Sequence, residues 1–279
     1  MAGRLLSYAG SAVAVAWEGE DAGGIAAFLF GAFPAPGPGV EPTATYLAGP
    51  GKSPGLLVLQ RDGVPVWRGE DAGALAEVWL GAVSHDLADR SRGGMLFHAA
   101  ALRTPAGGLL LPGGIGAGKT TLALWLAARG AGYRTDEMVF VPEGSCAAAP
   151  CPRPLNLKHG SLEPLRGVFD PSTAYSLTLE GPLGMLVSPE ALSPGEPQGP
   201  LPLALAVFPH YEAGASPALE RLSKAETGLA LMGCLVNARN LPGHGHPEAA
   251  RLARSVPGWR LRYSSFEQLA PLLGLLRLG

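Results

Sequence analysis

The chain has 279 residues, of which 47% are hydrophobic and 16% are charged, and this composition predicts a globular protein with one large core or two smaller ones. The formal net charge is −2 and the sequence holds no Lys/Arg cluster, which argues against a nucleic-acid partner. No stretch approaches the roughly 18 consecutive apolar residues of a membrane span, so we expect no membrane partner either.

The three cysteines predict neither a disulfide framework nor a zinc site, because they are few and irregularly spaced. Cys146 and Cys151 are close enough in sequence to pair in a loop, but we interpret them, like Cys234, as separate thiols. The apolar segment 5–17 weakly resembles a signal peptide. Its second half alternates larger apolar and small residues as a strand does, and we predict a strand over Ser11–Trp17.

Residues 1–92 are predicted to form a small α+β domain. Its elements in chain order are a strand over Ser11–Trp17, a helix over Asp21–Phe33, a Pro/Gly loop over Pro34–Pro42, a strand over Thr43–Leu47, a hairpin of Leu56–Gln60 and Val64–Trp67, and a helix over Ala72–Leu87. Asp62-Gly63 is the turn signal of the hairpin. Apolar spacing gives the last helix one buried face, formed by Leu75, Val78, Trp79, Ala82 and Val83. The polar stretch Asp89–Gly94 is the expected boundary to a second domain, 93–279.

Strands and helices alternate in this second domain, which predicts an α/β fold. The predicted elements are strands over Met95–Leu102 and over an apolar run ending at Leu111, a helix from Thr121 to Arg129, a strand over Met138–Val141, loops over Gly144–Pro154 and Pro189–Pro202, a strand over Leu203–Phe208, helices over Lys224–Asn237 and Pro247–Val256, a strand over Trp259–Tyr263, and a helix from Phe266 onward.

The most informative motif is a complete phosphate-binding loop between the second of these strands and the first helix. It consists of Gly113, Gly114, Ile115, Gly116, Ala117, Gly118, Lys119 and Thr120, with Thr121 directly behind it. The glycines let successive backbone N–H groups surround a phosphate at a helix N-terminus. The motif predicts binding of a nucleoside triphosphate, ATP, with Lys119 on the β- and γ-phosphates and Thr120 on a Mg²⁺ ion. Because ATP is a cytosolic substrate, we expect a cytoplasmic protein.

The companion motifs of two common nucleotide-binding families are missing from the sequence. Leu192–Glu196 imitates the signature helix of ABC-type ATPases, but it lies in a Pro-rich segment, and the next predicted strand ends at Phe208 without a carboxylate. The Asn-Lys-x-Asp motif with which GTPases read guanine is not present.

The order of motifs around the loop instead resembles the catalytic domain of HPr kinase/phosphorylase and of the HPr-kinase-related proteins. The shared set consists of His98 at the end of a strand, the phosphate loop, Arg129-Gly130 at the end of the loop helix, Asp136-Glu137, the stretch Arg153–Lys158, and similar segments at 207–211 and 222–226. The resemblance covers about residues 95–275, and the subgroup it matches best is that of kinases encoded beside lasso-peptide precursors. It implies an α/β P-loop, HPr-kinase-like catalytic domain preceded by a smaller α+β domain.

The resemblance implies phosphoryl transfer from ATP to a Ser or Thr hydroxyl of a peptide or protein, including a ribosomally made peptide precursor. It favours Asp136 as the base that deprotonates the acceptor and Glu137 as the carboxylate nearer the metal, whereas the residues alone leave this assignment open. It also implies that His98 hydrogen-bonds the acidic pair. HPr enzymes carry Asp-Asp where this chain carries Asp136-Glu137, and their C-terminal dephosphorylation signature has no counterpart here, so neither HPr as substrate nor phosphorylase activity follows.

Three further cations, Arg153, Lys158 and Lys224, are candidates for steadying the transferred phosphoryl group or the acceptor, and each is otherwise a surface cation. His244 and His246 have the spacing of a metal pair. They lie in a Pro/Gly turn with no third ligand nearby in sequence, and we interpret them as loop residues.

Two other classes of function stay open. One is a nucleotide-binding regulatory or scaffold module that transfers nothing, which Glu137 in place of Asp and the unfamiliar N-terminal half motivate. The other is a small-molecule kinase in which the N-terminal domain shapes a metabolite pocket. The N-terminal edge strands offer a place where a peptide substrate adds as a further strand, and a homo-oligomer is compatible with the sequence.

Overall fold

The structure, a computed structural model, describes residues 1–37, 39–163, 165–167, 177–269, 271 and 274. Its strands are β1 (Ala2–Tyr8), β2 (Ser11–Trp17), β3 (Thr45–Pro50), β4 (Leu57–Arg61), β5 (Val64–Gly69), β6 (Gly94–Thr104), β7 (Gly107–Pro112), β8 (Gly132–Thr135), β9 (Met138–Pro142), β10 (Ala147–Pro150), β11 (Leu155–Lys158), β12 (Thr178–Gly181), β13 (Gly184–Val187), β14 (Leu201–Tyr211), β15 (Ala218–Arg221) and β16 (Gly258–Tyr263). Its helices are α1 (Glu20–Phe30), α2 (Ala72–Asp89), α3 (Lys119–Ala127), α4 (His159–Leu162), α5 (Pro189–Leu192), α6 (Lys224–Met232) and α7 (His246–Ser255). None of the helices in the described ranges combines the length and the apolar character needed to cross a membrane.

A five-stranded sheet forms the N-terminal part of this mixed α/β fold, in the order β1-β2-β3-β4-β5. β2 and β3 are parallel and are connected through α1, while the other neighbours are antiparallel. The predicted hairpin of β4 and β5 is confirmed. Its turn residues Asp62 and Gly63 have φ of 52° and 79°, the left-handed values that match the twist of paired strands. α1 and α2 meet in the core, where Phe30 packs edge-on against Trp79 with 5.3 Å between ring centroids.

An eight-stranded sheet positions the phosphate loop. Seven of its strands follow the order β10-β9-β6-β7-β14-β16-β15, and β8 pairs with β6. β7, β14 and β16 are parallel, so their carboxyl ends lie at one edge of the sheet. Leu109, Leu110 and Leu111 of β7 are all buried, as expected for a central strand covered on both faces. In α/β proteins, ligands bind at the edge that such carboxyl ends form.

A third sheet, with the antiparallel order β11-β13-β12, connects the C-terminal half to α2. Gly73 of α2 lies so close to this sheet that a Cβ there would collide with the carbonyl oxygen of Glu180. Four residues further along the helix, the Glu77 carboxylate accepts a hydrogen bond from Leu183 N at 3.2 Å. α2 is therefore fixed on the C-terminal half as well as on its own sheet.

The hydrophobic core is continuous across the predicted domain boundary. The cluster around α1 and α2 also contains Leu96, Met138, Phe140, Cys151 and Leu186 from the C-terminal half. The Tyr8 hydroxyl donates hydrogen bonds to the carbonyl oxygens of Met138, at 3.1 Å, and of Ala149, at 2.7 Å. The division into 1–92 and 93–279 stays a prediction about the chain, but the two parts share one packed interior.

Several predicted elements differ in extent from the structure. The predicted loop over 144–154 contains β10, because this stretch pairs with β9 and β14. The predicted loop over 189–202 contains α5, whose start is capped by the Ser188 side chain, and the first residues of β14. The helix predicted over Lys224–Asn237 ends at Met232, where Gly233 follows. The helix predicted from Phe266 onward falls largely on residues 270, 272–273 and 275–279, which lie outside the described residues.

Short strands and one helix face account for the remaining differences. The sequence pattern does not predict β1, β8, β11, β12, β13 or β15, and five of these six strands have only four residues. Such strands form through pairing with neighbours that are distant in sequence, which apolar alternation does not reveal. In α2, Leu75, Trp79 and Val83 are buried as predicted, but Val78 is 36% exposed.

Candidate active site

The phosphate loop occupies the turn between β7 and α3. Gly116 and Gly118 adopt φ of 81° and 87°, a left-handed conformation that residues with a Cβ avoid. Ile115, at the tip of the loop, is 88% exposed. The glycine pattern thus gives an open backbone turn between a buried strand and the first turn of a helix, where backbone N–H groups and the helix dipole favour an anion.

The helix behind the loop is anchored by its apolar face. Leu122, Trp125 and Leu126 are buried as predicted. The guanidinium of Arg129 lies 3.8 Å from the Trp125 ring centroid and covers that ring. The N-terminus of α3, and with it the loop, is therefore held rigidly against the sheet.

Lys119 spans the loop from its C-terminal side. Its Nζ donates a hydrogen bond to the Gly114 carbonyl oxygen at 2.9 Å, and the residue is 6% exposed. Burial lowers the pKa of Lys119, and the neighbouring carboxylates of Glu137 and Asp136 act in the opposite direction. An ammonium held across the mouth of the loop is the arrangement that a triphosphate requires.

Asp136 accepts a hydrogen bond from Thr120, the last residue of the loop motif. The Thr120 hydroxyl donates to Asp136 Oδ2 at 2.8 Å, and the Tyr133 hydroxyl lies 3.3 Å from Oδ1. Asp136 follows β8 and is 4% exposed. Burial, and then the charge of Glu137, raise the pKa of Asp136 from its ordinary value of 3.8 to about 6.

The donor set at Thr120 fits a magnesium ion. Hydroxyl and carboxylate oxygens are the hard ligands that Mg²⁺ prefers, and proteins usually hold it through one or two carboxylates together with substrate phosphates. Within the described ranges, no group of three or more His, Cys, Asp or Glu side chains is arranged to hold a metal ion by itself. Thr120 and Asp136, with Glu137 next to them, match a metal that binds together with a nucleotide.

Glu137 and His98 lie beside each other on the open side of the acidic pair. The Glu137 side chain is 45% exposed, and its Oε1 lies 3.6 Å from His98 Nε2. This separation is a close contact but is too long for a hydrogen bond, so the hydrogen bond implied for His98 is not formed in this arrangement. Burial first, and then the charge of Lys119, lower the pKa of His98. The two carboxylates therefore have different surroundings, one buried and one open.

A cleft of about 1100 Å³ joins these groups. The predicted site residues that line it are His98, Ile115, Gly116, Gly118, Lys119, Thr120, Thr121, Asp136, Glu137, Arg153 and Lys158. Gly113, Gly114 and Ala117 belong to the loop, but they do not contribute to the lining. Arg153 is 7% exposed and donates to the Ser84 hydroxyl at 3.1 Å, whereas Lys158 is exposed.

Lys224 is not brought to this cleft. It begins α6 and is exposed. The preceding strand β15 runs antiparallel to β16, and Arg221 at its end pairs with Trp259 near the amino end of β16. Lys224 therefore lies towards the edge of the sheet opposite the phosphate loop, and its predicted contact with a phosphoryl group does not fit the topology.

The structure also locates the histidines and cysteines that were considered from the sequence as a metal pair or a disulfide. His244 lies in a short 3₁₀ turn with φ of 55°, whereas His246 is the first residue of α7, so its interpretation as a loop residue was wrong. Cys146, Cys151 and Cys234 are free thiols.

Several residues that line or support the cleft were outside the predicted site. Tyr133 contacts Asp136, Ser84 and His85 bring α2 into the cleft wall, and Tyr211 and Tyr263 line the cleft beside the loop. The sequence signals for the last two are that Tyr263 closes a predicted strand and that Tyr211 ends segment 207–211 of the family resemblance. Recognising them requires knowing that these strands are parallel to β7.

Comparison with solved structures gives distant structural likenesses. The structure of the Hpr(Ser) kinase/phosphatase from Coxiella burnetii has 12% sequence identity and a TM-score of 0.33, with 65% of this chain and 93% of that chain covered. No protein-family model matches the chain, and no curated protein sequence matches it. A TM-score of this size transfers neither a reaction nor residue roles to this chain.

Proposed function

We propose that this chain is an ATP-dependent kinase that transfers the γ-phosphoryl group to a Ser or Thr hydroxyl of a peptide or protein. The observation that carries the proposal is the 2.8 Å hydrogen bond from Thr120 Oγ1 to Asp136 Oδ2. It joins the nucleotide-binding motif to the acidic pair. A glycine-rich turn that binds no nucleotide gains nothing from a buried carboxylate with a raised pKa, because burying that charge is unfavourable for folding.

Positioning and charge neutralisation are the main tasks of a phosphoryl-transfer site. The backbone N–H groups of the loop and the N-terminus of α3 bind the phosphate oxygens. The Nζ of Lys119 lies 2.9 Å from the Gly114 carbonyl oxygen within the loop. When the nucleotide binds, Nζ leaves this oxygen and contacts the β- and γ-phosphates. Mg²⁺ held at Thr120 and Asp136 supplies neutralisation of phosphate charge.

The two carboxylates are suited to different roles. Asp136 is buried and bonded to Thr120, so we assign it to the metal. The Glu137 side chain is 45% exposed beside His98, so we assign it the role of the base that accepts the proton of the acceptor hydroxyl. This reverses the assignment that the family resemblance favours. The physical reason is access, since an incoming hydroxyl can reach an exposed carboxylate without displacing the contacts that hold a buried one.

Arg153 and Lys158 are the cations available to the transferred group. The Arg153 guanidinium donates a hydrogen bond to the Ser84 hydroxyl, and its charge acts to lower the pKa of Asp136, which supports a role within the site. Lys158 lies at the exposed rim. With Glu137 and Lys158 both open to solvent, a hydroxyl carried on a flexible peptide has access to the reacting position.

A small-molecule kinase is the second candidate, and one observation favours it. Gly81, Ser84, His85 and Ala88 of α2 form a second wall of the cleft. The cleft is therefore concave, with a volume of about 1100 Å³, near the upper end of the range for small-molecule sites. On this alternative the N-terminal half shapes a metabolite pocket.

A labelled-phosphate assay tests the proposal. The purified chain is incubated with γ-labelled ATP and Mg²⁺, once with a Ser/Thr peptide library and once with a metabolite set. We expect labelled peptide from wild type. Glu137→Gln and Asp136→Asn should lose transfer about 100-fold or more, and the Asp136→Asn protein should still bind nucleotide. Lys224→Ala is the matched control and should transfer normally.

Two results would contradict the assignment. Full transfer by both carboxylate variants would remove the acidic pair from the reaction. ADP release that metabolites elicit and peptides do not would replace the peptide kinase by the small-molecule kinase.

A further inference from the structure

Two tyrosines end the strands that lie next to the strand of the phosphate loop. β14 is parallel to β7, and β16 is parallel to β14. Tyr211 is the last residue of β14, Tyr263 is the last residue of β16, and the two are directly paired in the register. Both side chains therefore lie at the edge of the sheet where the phosphate loop begins, and both line the same cleft.

The tyrosines and the acidic pair lie on opposite flanks of the loop. β6 borders β7 on one side and β14 borders it on the other. Asp136 follows β8, which pairs with β6, so the acidic pair belongs to the first flank. Transfer requires the γ-phosphoryl group beside the acidic pair. A triphosphate bound in the loop therefore directs its nucleoside end to the second flank, where Tyr211 and Tyr263 lie.

The tyrosines are packed directly on the last glycine of the loop. The Tyr263 hydroxyl donates a hydrogen bond to the Gly118 carbonyl oxygen at 3.2 Å. A Cβ at Gly118 would collide with that hydroxyl and would lie 3.3 Å from the Cβ of Tyr211. This glycine is therefore required for the left-handed turn and also for the close approach of the aromatic side chains.

Tyr211 is supported from inside and open on the outside. Its ring meets Tyr263 edge-on, with 5.7 Å between centroids and an interplanar angle of 72°. Tyr263 is 2% exposed and stacks towards Phe266, which stacks on Trp125 of α3. Tyr211 itself is 49% exposed. A large aromatic ring that is fixed beside a phosphate site and half open to the cleft is a surface for another flat ring.

We propose that Tyr211 is the platform on which the nucleobase of the bound nucleoside triphosphate stacks, with Tyr263 as the residue that positions it. This inference rests on the proposed nucleotide site. Stacking of a base on an aromatic side chain contributes about 1–3 kcal/mol and accepts every base, because every base has a π-face.

The Ser264 hydroxyl next to the platform is already engaged within the protein. Ser264 Oγ lies 2.9 Å from the Ala215 carbonyl oxygen and 3.2 Å from Gln268 Oε1. We therefore attribute recognition of the nucleoside end to stacking on the Tyr211 ring.

Calorimetric titrations with two ligands test the platform. One ligand is ATP, and the other is ribose 5-triphosphate, which carries the same phosphate ester without the base. We expect wild type to bind ATP about tenfold tighter than ribose 5-triphosphate. Tyr211→Ala should weaken ATP binding by about tenfold and leave ribose 5-triphosphate binding within twofold of wild type. Tyr211→Phe, which keeps the ring, should bind ATP like wild type.

The neighbouring exposed residue provides a matched control. His210, whose side chain is 64% exposed, lies on the same strand and does not line the cleft, so His210→Ala should bind both ligands like wild type. ATP binding by Tyr211→Ala that equals wild type would overturn the platform.

The comparison of the two ligands on the wild-type protein also tests the platform, and it does not depend on whether a variant folds. Equal affinity for ATP and ribose 5-triphosphate would overturn the platform while leaving the phosphate site intact. Failure to bind either ligand would overturn the proposed nucleotide site and the platform together. The two failures are therefore distinguishable.

Discussion

The Thr120 hydroxyl donates a 2.8 Å hydrogen bond to the buried carboxylate of Asp136, so the end of the phosphate loop and the acidic pair form one unit. The two residues are 16 positions apart in sequence. The chain between them forms α3 and then β8. The last residue of β8, Thr135, pairs with Ala101 of β6, which places Asp136 beside the loop. The predictions below follow from this contact and from the packing around it.

Removal of the Thr120 hydroxyl should uncouple magnesium from nucleotide binding. Thr120→Val keeps the shape of the side chain and removes the donor to Asp136 and the oxygen for the metal. We expect ATP affinity in the presence of Mg²⁺ to fall about 10–100-fold, while affinity without Mg²⁺ changes little. Calorimetry with and without the metal measures both values. An equal loss of affinity with and without Mg²⁺ would contradict a specific role of Thr120 at the metal.

Asp136 should destabilise the metal-free protein at neutral pH. Its pKa is raised from 3.8 to about 6, so the folded state favours the protonated carboxyl. The protonated Asp136 carboxyl therefore contributes to the free energy of unfolding. This contribution is fully present below about pH 4 and is lost as the pH rises through about 6. One pKa unit corresponds to about 1.4 kcal/mol, so the loss amounts to about 3 kcal/mol at most.

Asp136→Asn provides the test of this pH dependence, because the amide keeps the size of the side chain without its charge. In urea unfolding with a chelator present, the variant should match wild type at pH 4 and exceed its unfolding free energy by about 1–3 kcal/mol at pH 7.5. A difference between the two proteins that is the same at both pH values would mean that Asp136 titrates normally.

His98 should act as a neutral neighbour of Glu137 at physiological pH. Burial and the charge of Lys119 lower its pKa, so the ring gains a proton only below its ordinary range near 6.5. His98→Asn should lower kcat by about tenfold, because the contact at 3.6 Å that confines Glu137 is lost, with KM for ATP unchanged. The pH profile of kcat between 7 and 8 should be the same in both proteins. A profile that flattens in the variant across this interval would show that His98 itself titrates there.

Two helix glycines should respond in opposite directions to replacement by alanine. A Cβ at Gly73 meets the Glu180 backbone, whereas a Cβ at Gly24 of α1 has no heavy atom within 4 Å. Gly73→Ala should lower the free energy of unfolding by about 1–3 kcal/mol, because backbone must move. Gly24→Ala should raise it by about 0.5–1 kcal/mol through helix propensity. Thermal unfolding of both variants measures this, and a neutral Gly73→Ala would mean that α2 is not held closely on β12.

Much of the nucleotide side of the site could be predicted from the sequence, because its parts are local. The loop, its helix and the acidic residue Asp136 all lie within 113–136, and the structure brings Thr120 and Asp136 into contact. The distant parts could not be predicted in this way. Tyr211 reaches the loop only because β14 is parallel to β7. Lys224 was a candidate for the site and lies towards the opposite edge, because β15 runs antiparallel to β16.

The contribution of the N-terminal half was also hidden in the sequence. Its predicted elements are largely those of the structure, and two roles were considered for it, peptide binding at an edge strand and the shaping of a metabolite pocket. The structure brings Ser84 and His85 of α2 into the cleft wall, where the Ser84 hydroxyl accepts a hydrogen bond from Arg153. Contacts between residues about 70 positions apart depend on tertiary packing, which periodicity along a single helix does not report.

A calorimetric titration of ATP, with and without Mg²⁺, tests the central claim most directly. The titrated proteins are wild type, Lys119→Ala, and Lys224→Ala as a matched lysine outside the cleft. The account predicts magnesium-dependent binding by wild type and by Lys224→Ala, and loss of binding by Lys119→Ala. Absence of binding by a folded wild-type protein, or equal binding by the Lys119→Ala protein, would contradict a nucleotide site at this loop.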